Sequence, residues 1–196
     1  MYKRQVSESP PTQASLLDYG AGFADFLARF PPAAELPWLA SVAQLDRDWT
    51  ESHLAPDAST VDPVSLVATS PATLAGLCLR PHPASRWRWS ADIPAFSLWS
   101  ISRGLAPQPE NGFASLPWRG EGALTTRDAD RVETTAIPRA ACAMLDACAA
   151  GETFSAAAAA ALTLDPAIDL PTLISSLLRT GALTTDDPHF TKDHTR

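Results

Sequence analysis

The densest grouping of chemically capable side chains in this sequence is Arg80-Pro81-His82-Pro83-Ala84-Ser85-Arg86-Trp87-Arg88-Trp89. It places cations and indoles side by side, and three uses follow from those residue types. Aromatic rings stack on bases while arginines take phosphates, which is how single-stranded nucleic acid is held. Trp and Arg are also the common anchors of polypeptide interfaces. The plainest reading is a strand with tryptophans on the covered face and arginines on the wet one, because successive side chains of a strand alternate. The residues alone leave all three open.

Other groups able to do chemistry are scattered. The histidines are His53, His82, His189 and His194, and none stands in a HExxH arrangement. His53 is expected at a helix C-terminus, where a cation complements the helix dipole. Cys78, Cys142 and Cys148 have neither CxxC spacing nor an even count, which argues against a disulfide framework or a zinc site. Cys142 and Cys148 fall in an alanine-rich helical stretch and read as small core residues. GxSxG, GxxxxGK[ST] and a GxGxxG following a strand are all missing. The carboxylate pairs Asp46/Asp48 and Asp186/Asp187 read as solvated faces. No catalytic residue, metal or cofactor is therefore expected, and the chain reads as a non-enzyme.

Charge narrows the ligands. The net charge is −7, and residues 1–111 and 112–196 are both acidic. Neither half offers the broad positive field that neutralising a phosphate backbone needs. Nucleic acid is thus disfavoured, though a DNA-binding transcriptional regulator stays as the alternative. No run of 18 apolar residues exists, so no membrane span is expected, and a cytoplasmic location is the default expectation.

Apolar residues make up 45% of the chain, enough for a core, while 18 prolines cut it into short pieces. Phe23, Phe26, Leu27 and Phe30 recur at helical spacing, as do Trp38, Val42, Leu45 and Trp49. Asp46, Arg47, Asp48 and Glu51 lie off that second stripe and are expected in water. Asp62-Pro63 and Ser70-Pro71 are helix starts. Residues 86–89 alternate as a strand, and 93–101 fits a helix or a strand, with helix favoured because Pro94 can occupy its first turn. After a proline- and glycine-rich stretch come two strands, 123–126 and 132–137. Helices follow over about 138–150, 153–162 and 170–180, then a possible edge strand at 182–184. That order is winged-helix-like. A winged helix serves either to read DNA or to capture a peptide at a sheet edge. Its third helix here carries Arg179 as its only charge, which suits a DNA reader poorly.

Several motifs resemble the HvfC/BufC family: Tyr19-Gly20-Ala21-Gly22-Phe23-Ala24-Asp25-Phe26-Leu27, Leu36-Pro37-Trp38-Leu39-Ala40-Ser41-Val42-Ala43-Gln44-Leu45-Asp46, Leu79-Arg80-Pro81-His82-Pro83, and Ile93-Pro94 with Leu98-Trp99. The resemblance covers about residues 15–105 and continues more loosely through 120–185. Asp46 stands where the family has Glu, and Trp38 where Tyr is common. Members of this family, long labelled DNA-binding, are described as peptide-modification chaperones. They serve multinuclear non-haem iron oxidases that modify cysteines in ribosomally made precursor peptides, including copper-binding bufferins. The resemblance implies partners of those two kinds, no catalytic residues, iron held by the partner enzyme, and a longer N-terminal helical segment than this chain has.

The expectation is an α+β, mostly α, protein: a flexible lead-in at 1–15, the remnant of a helical domain at 16–103, a linker at 104–119, a winged-helix-like peptide-recognition module at 120–186 and a frayed tail at 187–196. The candidate contact residues are Arg80, His82, Arg86, Trp87, Arg88 and Trp89, together with an edge strand at Leu124, Thr125 and Thr126.

Overall fold

The computed structural model describes residues 20–191. The expected lead-in at 1–15, Tyr19 of the first motif, and the end of the tail from 192 lie outside them.

Eight α-helices and five strands make up the described chain. Helix α1 is Phe23–Arg29, and a 3-10 turn at Pro31–Ala33 leads to α2, Leu39–Leu54. Two short helices follow, α3 at Pro63–Val67 and α4 at Pro71–Gly76. Each has proline where a missing N–H is harmless, and each has a side-chain cap. The Asp62 carboxylate accepts from the Val64 and Ser65 amides, and the Ser70 hydroxyl accepts from the Thr73 amide. Strands β1 (Arg80–Pro81) and β2 (Arg86–Ser90) precede α5 (Ala95–Ser102). Then come the hairpin β3 (Glu121–Asp128) and β4 (Arg131–Ile137), helices α6 (Arg139–Ala149), α7 (Phe154–Leu164) and α8 (Leu170–Arg179), and β5 (Leu183–Thr184). The fold is thus a helix-rich α+β one.

The main sheet is antiparallel in the order β2-β3-β4. Trp87 lies opposite Leu124 and Arg88 opposite Ala123, so the strand preceding the 104–119 stretch pairs directly with the strand that follows it. That stretch holds a 3-10 turn at Phe113–Ser115, and Phe113 meets Trp38 edge-on at 5.5 Å. Strand β5 pairs with β1 and not with the hairpin. The Val61 amide bonds the Leu183 carbonyl beside it.

Because neighbours along a strand point to opposite faces, the sheet divides the core in two. Leu124 faces a large cluster with Met144, Leu145 and Cys148 of α6, Ala157 and Ala161 of α7, and Leu173 and Leu177 of α8. The two alanines are fully buried, and their small size lets α7 approach closely. Ala123 faces a smaller cluster with Leu45 of α2 and Ala95 and Trp99 of α5.

The tail expectation needs correction as far as residue 191. Phe190 belongs to the large cluster, its carbonyl accepts from the Asp62 amide at 2.8 Å, and Thr191 bridges Val61. One buried aromatic docks a segment whose polar composition reads as frayed.

Candidate functional site: the outer edge of β2

Strand β2 lies at one edge of the three-stranded sheet, with β3 on its inner side. Among the described residues, no strand pairs with its outer side. Each of its first four side chains is held by a separate partner. The Arg86 Nε donates to Glu51 of α2 at 2.9 Å, and its Nη1 donates to the Pro83 and Ser85 carbonyls. The Trp87 Nε1 donates to Asp146 of α6 at 2.8 Å. Arg88 makes a bidentate pair with Asp48 of α2, at 2.6 and 2.8 Å. Trp89 lies under the Arg139 guanidinium, 5.9 Å from the ring centre. The sheet's two faces explain this pattern: arginines reach to α2 and tryptophans to α6.

The carboxylates of α2 are therefore structural. The expectation that Asp48 lies in water is wrong: it is 1% exposed, because Arg88 of β2 stands directly beneath it. Burial pushes the Glu51 carboxyl up, but bonds from Arg86 and Arg47 outweigh that and hold it below the usual carboxylate range. Asp46 accepts from the Trp99 indole at 2.9 Å and from Arg103, whose guanidinium also lies over Trp49 and Trp99.

Beside the outer side of β2 runs an open groove of about 400 Å³. Its far wall is Ala24, Asp25 and Ala28 of α1 with Ala40, Ser41 and Gln44 of α2, and its near wall is residues 87–90. All of these helical residues but Ala28 fall in the motifs that carry the family resemblance, but none is expected from them to form a site. Their one signal is alanine at positions 24, 28 and 40, among larger neighbours. A second groove, about 810 Å³, lies at the other end of α2 between residues 55–60 and the hairpin turn. There Arg127 donates to the Ser52 and His53 carbonyls and pairs with Asp57, and His53 itself lies in the last turn of α2, as expected.

The remaining sequence candidates fall elsewhere. Arg80 pairs with Asp186 at 3.0 Å on the surface. His82 is buried: its Nδ1 accepts from the Ala84 amide within its own turn and its Nε2 donates to the Ala58 carbonyl of another loop, so both ring nitrogens are used. Leu124, Thr125 and Thr126 are buried in β3, the central strand. The expectation of a sheet edge there is corrected: β2 and β4 occupy both sides of β3. The hairpin alone is legible locally, but the pairing with β2 joins residues distant in sequence.

Among the described residues, no three His, Cys, Asp or Glu side chains come together as metal ligands would, and no helix is long and apolar enough to cross a membrane. Cys142 is buried, and its thiol is pushed up to about 12 by that burial and by Asp146; burial and Cys78 push Cys148 up to about 11. Neither thiol is suited to nucleophilic work. No family model matches the chain, and no curated protein sequence matches it.

Proposed function

We propose that this protein is a non-catalytic helper that holds another polypeptide, and that an extended segment of that polypeptide adds as a strand to the outer edge of β2. The observation that carries this reading is the pinning of Arg86, Trp87, Arg88 and Trp89 by four separate partners beside an open groove. Alternate backbone amides and carbonyls of an edge strand point outward and can pair with a second chain. Side chains already fixed on both faces lose little further freedom when it docks. The acidic balance of the chain, with no convergent reactive groups among the described residues, supports a binding role over a chemical one. In this reading the segment from β3 to β5 is a winged-helix-like peptide-recognition module. The resemblance set out above supplies the partners: a cysteine-containing precursor peptide and the multinuclear non-haem iron oxidase that modifies it.

The test is co-expression with such an oxidase and precursor, followed by affinity purification and amide exchange. Retention of both partners, with slowed exchange along residues 86–90, is the expected result. Retention of neither overturns the proposal. So does substrate turnover by the chain alone, or binding to duplex DNA that survives ~0.2 M salt.

A further inference from the structure

We infer that the strand taken up at β2 carries a lysine or arginine whose stem lies in the groove and whose charge meets Asp25. This rests on the strand-addition reading above and adds the chemistry of the ligand. Two carboxylates, Asp25 and Asp48, and two guanidiniums, Arg29 and Arg88, stand in or beside the groove. Arg88 is neutralised by both oxygens of Asp48. That leaves Asp25, which is exposed on α1 and whose carboxylate makes no hydrogen bond or ion pair within the described structure; only its backbone carbonyl is used, by Arg29. The groove therefore keeps one carboxylate without a direct partner among the described residues, although the N-terminal end of α1 and the nearby Arg29 offset part of its charge.

Its walls favour a long side chain over a compact ion. Ala24, Ala28 and Ala40 leave room for a methylene stem, and the Gln44 amide in the same lining can accept a hydrogen bond. Lys and Arg bury such stems against apolar surface while the charged head reaches a polar partner. An acidic or short polar side chain would meet repulsion from Asp25 or leave the alanine wall uncovered. The net charge of −7 draws a basic segment toward the molecule from a distance.

A random-peptide display library selected on the intact chain supplies the probes. The expected result is extended peptides with Lys or Arg at one fixed position. Replacing that residue by norleucine should weaken binding about tenfold, the size of one charge-assisted hydrogen bond. Asp25→Asn should weaken the basic peptide similarly and leave the norleucine peptide unchanged. Peptides that Ala28→Leu excludes but that carry no fixed basic residue would sink this inference and leave strand addition standing. If Ala28→Leu excludes none of the selected peptides, or no peptide is selected, both readings fall. Thermal unfolding of each variant separates lost binding from lost folding.

Discussion

Arg88 and Asp48 face each other across the sheet and α2 as a two-bond pair in which the carboxylate is 1% exposed and the arginine side chain 42% exposed. Two hydrogen bonds at 2.6 and 2.8 Å fix the helix above the strand that it covers. The asymmetry decides what mutation does. Removing the carboxylate leaves a cation that can still reach water, whereas removing the arginine strands a buried negative charge.

Asp48→Ala is therefore expected to destabilise by about 2 kcal/mol, within the range for hydrogen bonds to charged groups. Arg88→Ala should cost more, about 3 kcal/mol, because an unpaired charge is left buried. Urea denaturation of the two variants checks the order. Arg80→Ala, which breaks the surface pair with Asp186, should shift stability by less than about 1 kcal/mol.

The Glu51 carboxyl sits below its ordinary value of 4.5, since the Arg86 and Arg47 bonds outweigh burial. Its contribution to stability is thus complete above that value and is lost as pH falls through the lower folded-state value. Glu51→Gln should lose stability at pH 7 and show a flatter acid limb below about pH 5. Unfolding midpoints measured between pH 7 and pH 3 should converge for wild type and variant; parallel curves would contradict the role of Arg86.

Gly120 and Gly122 have no room for a side chain. A Cβ at Gly120 would lie 2.3 Å from the Ala91 carbonyl oxygen, and one at Gly122 would lie 2.5 Å from that of Ile137. Each substitution to Ala should destabilise by about 1–3 kcal/mol, the usual cost of overpacking. At Gly120 the obstruction is backbone, so the loss should come with faster amide exchange at the Ser90 end of β2.

Cys78 is exposed, while Cys142 and Cys148 are buried with raised thiols. A disulfide reagent at pH 8 should modify Cys78 rapidly in the native protein and reach the other two only after denaturant is added. Rapid reaction of all three thiols without denaturant would place α6 outside the core.

Local signals carried most of the element order. Asp62 and Ser70 cap the helices their position announces, Thr153 caps α7, and Gly151 and Gly181 just past α6 and α8 take positive φ angles, as glycines that end helices commonly do. These features depend on neighbours within a few residues, and spacing records them. The alternation at 86–89 likewise marked a strand, though each of its faces is covered by a helix.

The chain's own order of residue types determined its helix starts and stops, its short strands, its acidic balance and the two indoles and two arginines of β2. Only the tertiary structure decided that β2 is an edge and β3 a centre, that Asp48 is buried, and that alanines of two helices open a groove beside Trp89. Those outcomes depend on pairing residues as distant as Arg88 and Ala123, or Arg88 and Asp48. Strand pairing and burial are properties of what lies across a gap, which local spacing does not record.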